Sequence, residues 1–198
     1  MVDFDVRLGL TPTDLALRDL QVRRPDDWVA LNPDDSVEFR LVQRQFPDEI
    51  VKSRLFRDEQ TLWVKKGRIV EILTLLRDNQ ETQYNFLSDL TAVDLIKMPG
   101  NDAPRFEVVY NLYSLTTFRR FRVKAQAPEG ETISTVESVW PAANWPEREV
   151  YDLFGIVFEN HSDLRRIQMP DDWIGHPLRK DYPLGGEQVE FSFNVRGR

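Results

Sequence analysis

Residues 105–127 read "RFEVVYNLYSLTTFRRFRVKAQA", and the order of polar and apolar side chains in this stretch decides the fold class. In its first half Phe106, Val108, Tyr110 and Leu112 alternate with residues of the opposite face. In its second half Phe121, Val123, Ala125 and Ala127 alternate with Arg120, Arg122, Lys124 and Gln126. Successive side chains of a strand point to opposite faces, so a period of two puts one face in a core and leaves a basic face outside it. The "SLTT" between the halves is short, and strands joined so closely pair antiparallel.

Working outward, "QTLWVKK" (60–66) has the composition of a strand, and "GRIVEILTLLRD" (67–78) places Ile69, Ile72, Leu73 and Leu76 at helical spacing. The second is predicted to be an amphipathic helix lying on the sheet. "YNFLSDLTAVDLI" (84–96) reads as a helical turn followed by a strand, closed by a turn at Pro99-Gly100-Asn101. From Phe46 a short helix is expected: Pro47 suits a first turn, Asp48 and Glu49 suit its positive end, and Ile50, Val51, Leu55 and Phe56 supply a core face. Helical spacing is also expected through "TISTVESVWPAANWPEREVYDLFG" (132–155) as far as Gly155. The fold class is therefore α+β: a small mixed or antiparallel sheet of three to five strands with helices on one face, then an extended, irregular C-terminal segment. The expected organisation is an N-terminal extension over 1–45, with Pro-Asp-Asp turns at 25–27 and 33–35, an α/β body over 46–158 and the C-terminal segment over 159–198.

Composition limits the function. At 198 residues one main core is expected, and a 41% hydrophobic content with 12 Phe, 5 Tyr and 5 Trp can fill it. Thirty-three acidic against 26 basic residues give a net charge of −7, unsuited to wrapping a nucleic-acid backbone. The absence of cysteine removes thiolate catalysis, iron–sulfur ligation by Cys, zinc ribbons and disulfides together. The opening "MVDFDVRLGL" has neither a basic stretch nor an apolar one, which makes a cytoplasmic address the expectation. Apolar runs such as "IVEILTLL" fall far short of the ~20 residues that span a bilayer, so work at a membrane would pass through another protein.

The densest group of chemically capable residues is "NWPEREVYDLFG" (144–155) with "HPLRKDYPL" (176–184). Pro146, Glu147 and Glu149 suit a helix start and Gly155 suits the position just past its end. Val150, Leu153 and Phe154 share one face, and Arg148 and Asp152, four apart, are placed to pair across a turn. A capped, salt-bridged helix of two to three turns accounts for all of these residues. The chemical alternative uses Glu147, Glu149 or Asp152 as a general acid or base, but Glu147 and Glu149 are two apart and diverge on a helix. His161 and His176, fifteen positions apart with Asp163, Asp171 and Asp172 between them, do not have the spacing of a helix-borne ligand pair; loop-stabilising roles are expected. Arg165, Arg166, Arg179 and Lys180 are a local excess of cations, and in "HPLRKDYPL" the prolines are expected to hold the backbone extended for recognition. No G-x-G-x-x-G, Walker-type or G-x-S-x-G motif is present in the sequence.

The run "ANWPEREVYDLFGIVFENHSDLRRIQMPDDWIGHPLRKDYPL" (143–184) resembles the hallmark segment of the C subunit of NADH-quinone oxidoreductase, respiratory complex I. Weaker similarity runs back through "VWPAANW", "FEVVYNLYSL" and "FLSDLTAVDL", to cover roughly residues 60–184. This chain has Asn160 and Ser162 around its first histidine, where the family commonly has Gly and Pro. The resemblance implies a hydrophilic peripheral-arm subunit on the cytoplasmic side of the cell membrane, without flavin, cluster or quinone-reducing residue. NADH, FMN, iron–sulfur clusters and quinone would be held by other subunits. The partners it implies are the quinone-site large subunit and the iron–sulfur subunits of the arm. It also implies that the motif positions Trp145, Glu147, Arg148, Glu149, Asp152, Gly155, His161, Arg165, Arg166, Gly175, His176, Pro177, Arg179, Lys180, Asp181, Tyr182 and Pro183 form a partner interface. Equivalent subunits of a ferredoxin-dependent dehydrogenase, a reduced-deazaflavin (F420) dehydrogenase or an energy-converting hydrogenase are alternatives of the same lineage. A free-standing enzyme using Glu149 or Asp152 with His161 or His176 is the alternative of another class. In the tail "GGEQVEFSFNVRGR" (185–198), Val189, Phe191 and Phe193 alternate with polar residues and are expected to dock on a partner.

Overall fold

The computed structural model describes residues 34, 36–57, 59–98 and 103–183. Three helices and five main strands build it: α1 (Val37–Gln45), β1 (Ile50–Phe56), β2 (Glu59–Lys65), α2 (Ile69–Asp78), β3 (Phe86–Asp94), β4 (Phe106–Tyr113), β5 (Arg120–Ala127) and α3 (Asn144–Phe154). The two-residue strands β6 (Ile133–Ser134) and β7 (Phe158–Glu159) form a separate parallel pair.

The sheet order is β1-β2-β5-β4-β3. The β1–β2 hairpin sits at one edge, α2 carries the chain to β3 at the other, and the β3–β4–β5 meander returns to lie parallel to β2. Register follows the hydrophobic alternation. Phe106, Val108, Tyr110 and Leu112 lie opposite Ala127, Ala125, Val123 and Phe121, and all eight are buried. With Leu62 and Val64 of β2 they meet Ile72, Leu73 and Leu76 of α2, Phe39 and Val42 of α1, and Val150 and Phe154 of α3 in one core. On the opposite face Trp63 donates its Nε1 hydrogen to Glu107 at 2.7 Å, Lys124 pairs with the same carboxylate at 2.9 Å, and Arg122 reaches Asn111 and Glu59. Arg122 and Lys124 of the basic face of β5 are thus paired within the sheet.

Three expectations need correction. Residues 50–56 form a strand, not a helix: Pro47–Glu49 makes a single 3-10 turn, after which pairing from Lys52↔Trp63 to Phe56↔Glu59 satisfies the backbone. Residues 132–143 are not α-helical. Ile133 and Thr135 donate backbone hydrogens to Val157 and Glu159, tying this stretch to β7, and a 3-10 turn at Pro141–Ala143 leads into α3. The prolines of 176–183 do not hold the chain extended, since Arg179 N bonds to His176 O and Tyr182 N to Arg179 O in two successive turns. Helix α1 lies within the N-terminal stretch 1–45, where the sequence marked only the Pro-Asp-Asp turns. Ser36 caps it, accepting a hydrogen bond from Phe39 N at 3.0 Å, and its Glu38 accepts one from the Tyr84 hydroxyl at 2.8 Å. The Pro99–Gly100–Asn101 turn, the Pro-Asp-Asp turns and the tail residues Val189, Phe191 and Phe193 fall wholly or partly outside the described residues. Among the described residues no helix is long and apolar enough to cross a membrane.

Candidate functional site

Helix α3 and the loop that follows it gather the motif residues into three groups. The first is centred on Glu147, whose side chain is fully buried between α3 and the 133–136 stretch. It accepts a hydrogen bond from Val136 N at 2.8 Å and contacts the Thr135 hydroxyl. Burial pushes its pKa up to about 7, against the lowering effect of these two hydrogen bonds, and the neighbouring Glu137 charge adds to the rise. His161 lies beside it, 3.9 Å from the Glu147 carboxylate. The His161 ring is held at both nitrogens: Nε2 bonds to Asn144 O at 3.0 Å and Nδ1 accepts from Asp163 N at 3.0 Å. A backbone amide aimed at Nδ1 requires a lone pair there, which leaves Nε2 to donate to Asn144 O.

The second group is built on Asp152. One carboxylate oxygen accepts from Ile167, Gln168 and Met169 N at 3.1, 2.8 and 2.8 Å, and the other receives Arg166 Nη1 at 2.5 Å. Burial alone would raise this carboxyl's pKa, but the four hydrogen bonds outweigh it and hold it below the usual carboxylate range. Arg166 also donates to Trp173 O and Gly175 O, and His176 Nδ1 bonds to Asp152 O at 2.8 Å. Burial, with Arg179 and Arg166 nearby, lowers the His176 pKa. The expected Arg148–Asp152 pair is absent. Arg148 instead donates to the carbonyls of Arg165 and Arg166 at 3.1 and 3.0 Å, because Asp152 faces inward and Arg148 reaches across to the loop.

The third group fixes the end of the loop to the sheet. Arg105 reaches Asp94 at 3.0 Å, Asp181 at 2.6 Å and Glu129 at 2.7 Å, while Lys180 N donates to Asp94 at 2.9 Å. Asp94 is buried, which would raise its pKa; Arg105 and the amides of Lys180 and Ile96 reverse that and lower it. Arg179 stretches back to Phe154 O at 2.6 Å and to Glu129 at 3.2 Å.

Two glycines allow this packing. Gly155 ends α3 at φ +74, and a Cβ there would lie 2.6 Å from both the His176 ring and the Arg179 guanidinium. Gly175, at φ +90, lies under the Tyr182 ring, 2.7 Å from where its Cβ would be.

The remaining motif residues face outward. Trp145 is 69% exposed, Glu149 accepts from Gln168 at 3.0 Å, Arg165 pairs with Asp163 at 2.9 Å, Lys180, Asp181 and Pro183 are exposed, and Pro177 is half-buried. Sequence reasoning passed over Asp94, Arg105, Glu129 and Glu137, which anchor the segment. The one signal for them was a carboxylate closing the apolar strand "LTAVD". Chemically the arrangement is a clamp. Asp152 has its acceptor capacity filled by donors of its own chain, Glu147 is sealed from solvent, and Glu149 is exposed with Gln168 as its partner. Among the described residues no His, Cys, Asp or Glu group is arranged to hold a metal ion.

Residues 62–188 match the family described as "Respiratory-chain NADH dehydrogenase, 30 Kd subunit". The chain belongs to this family. It is 54% identical over 146 residues to the NADH-quinone oxidoreductase C subunit of Geobacter metallireducens, covering 73% of this chain and 87% of that one. The corresponding C subunit of a Roseiflexus species is 43% identical over 162 residues, 81% of this chain and 91% of its own. Among solved structures, a chain of the membrane-bound sulfane sulfur reductase, an archaeal respiratory membrane complex, shares the fold at TM-score 0.60 and 24% identity, over 73% of this chain and 82% of that one. The family match spans the whole clamp, from the last residues of β2 through Pro183.

Proposed function

We propose that this chain is a core structural subunit of the peripheral arm of an NADH-quinone oxidoreductase, carries no cofactor and performs no step of the redox chemistry itself. NADH, FMN, iron–sulfur clusters and quinone belong to other subunits, and the chain contacts the quinone-site large subunit and the iron–sulfur subunits on the cytoplasmic side of the membrane. Residues 46–158 act as the body, 159–198 as the docking segment, and Val189, Phe191 and Phe193 extend that docking surface.

One observation carries the reading. Glu147, Asp152, Arg166, Arg179 and Asp181 are spent on internal anchors, while large apolar side chains of residues 144–178 face out, with Trp145 69% and Ile174 83% exposed. An irregular loop pinned at three places and presenting apolar side chains is preorganised for a protein interface, because little ordering entropy is left to lose on binding. A catalytic cleft would need the reverse arrangement, with apolar walls and free polar groups.

Mild-detergent purification of the tagged full-length chain tests this. The expected result is co-purification with NADH- and flavin-binding subunits and NADH-dependent quinone reduction by the assembly, with no turnover by the chain alone. Trp145→Ala should lower the yield of assembled complex several-fold and leave the chain's own melting temperature unchanged. Recovery of the wild-type chain free of other subunits would overturn the proposal. Co-purification with a ferredoxin-binding or hydrogenase module would move it to a sister complex.

A further inference from the structure

The sheet has two ends, and the clamp occupies only one of them. Strand register places Asp94, Phe106 and Ala127 together at that end, where Arg105 and Lys180 fasten the loop. The other end collects the close of β1, the start of β2, the β4–β5 hairpin and the start of β3.

The hairpin at this far end is rigid. Ser114 N bonds to Arg119 O, Phe118 N to Ser114 O, Thr117 N to the Ser114 hydroxyl, and Leu115 N to the Asn85 side chain. At its tip Phe118 adopts φ +56 and is 76% exposed. A bulky side chain in the left-handed region is strained, and an exposed phenyl ring returns no burial energy. Neither folding term accounts for Phe at a site where Asn or Gly would be relaxed. Leu115, Phe56 and Phe86 are also exposed at this end.

Beside Phe118 runs a groove of about 650 Å³ lined in part by Arg57, Arg119, Arg120, Glu38 and Glu59. Both carboxylates are already engaged, Glu38 by Tyr84 and Arg119 and Glu59 by Arg122. Arg120 has no carboxylate partner among the described residues, and Arg54 lies 5.2 Å from the Phe56 ring. On a chain of net charge −7 this end holds Arg54, Arg57, Arg119, Arg120 and Arg122 against Glu38, Glu59 and Asp89 among the described residues, a local excess of arginine beside aromatic anchors. Arginine and aromatic side chains are the types that dominate binding energy at protein interfaces.

We infer that this end of the sheet is a second docking surface, opposite the clamp, and that its occupant is an acidic segment of a neighbouring subunit with an apolar side chain seated against Phe118. The inference rests on the assembly proposed above, and goes beyond it by adding an interface the motif residues do not form. It makes this subunit a bridge between two neighbours.

The test uses the assembled complex with Leu115 replaced by the photo-cross-linker p-benzoylphenylalanine, followed by mass spectrometry of the adduct. The expected adduct is a stretch of another subunit containing more Asp and Glu than Lys and Arg. Phe118→Asn and Arg120→Glu should each reduce its yield about tenfold, as charge reversal or anchor loss does at an interface centre. Phe118→Asn should leave the isolated chain's melting temperature unchanged or raise it, which a structural role for the ring would not allow. An adduct to residues 1–33 of the same chain, to a second copy or to lipid would overturn the inference, as would no adduct in an intact complex. Failure of the chain to join a complex would instead sink the assembly proposal, and subunit recovery reads that separately.

Discussion

Replacing Asp152 by Ala tests the clamp most directly. The native carboxylate accepts four hydrogen bonds, three of them from the consecutive amides of Ile167, Gln168 and Met169 and one from Arg166. Ala removes both oxygens, so all four donors lose their acceptor. A buried donor left unpaired costs about 1–3 kcal/mol. Ile167 and Gln168 are exposed, so water relieves part of this cost, and Arg166 keeps Trp173 O and Gly175 O. The net expectation is about 3 kcal/mol, which shifts the local opening equilibrium of residues 166–176 about a hundredfold. Because the loop hangs on this hub while the sheet does not, the loss should be local. Amide hydrogen exchange on the full chain is the assay: protection at Gln168 and Met169 should fall about a hundredfold, with amides of β4 and β5 nearly unchanged. A change of less than about threefold at Gln168 and Met169 would refute the reasoning, since it would mean these amides do not depend on the carboxylate.

Two further outcomes are expected from the same geometry. Glu147 holds its proton up to about pH 7 in the folded chain against a reference value of 4.5, so the folded state binds more protons in that window and stability falls as pH rises through it, by about 3 kcal/mol in all. His176, lowered by burial, works in the opposite direction, so the diagnostic is a comparison: urea unfolding of Glu147→Gln should lose the Glu147 part of the slope, and an unaltered slope would count against a buried, protonated carboxyl. Gly155→Ala should cost about 2–4 kcal/mol, combining left-handed strain with displacement of His176 and Arg179, and should raise protease cleavage within 176–182; melting and cleavage equal to wild type would dismiss both effects.

Much of the body was legible because its signals are local. The alternation through β4 and β5, the 3.6-residue spacing of Ile69, Ile72, Leu73 and Leu76, and the glycine ending α3 depend on a residue and its near neighbours. Residues 46–56 misled because Pro47, Asp48 and Glu49 do start a turn, and only the ladder offered by β2 makes residues 50–56 a strand. Residues 132–143 misled for a similar reason, their spacing being helical while Ile133 and Thr135 find backbone partners at 157–159 and the rest close only short turns.

By itself the sequence determined the α+β class, the absence of any thiol chemistry, the membership carried by residues 143–184 and the poor geometry of Glu147 with Glu149. Tertiary structure decided where the motif's charges are spent. Arg148 and Asp152 sit four apart and would pair on an isolated helix, yet Asp152 turns inward to three amides fifteen to seventeen residues away and Arg148 caps two loop carbonyls. A buried carboxylate gains most from the partners that satisfy it where water cannot, and those partners are brought close by the fold and not by sequence spacing. The same holds at the far end of the sheet, where strand pairing brings Phe56, Phe86 and Phe118, distant in sequence, to one end of the sheet.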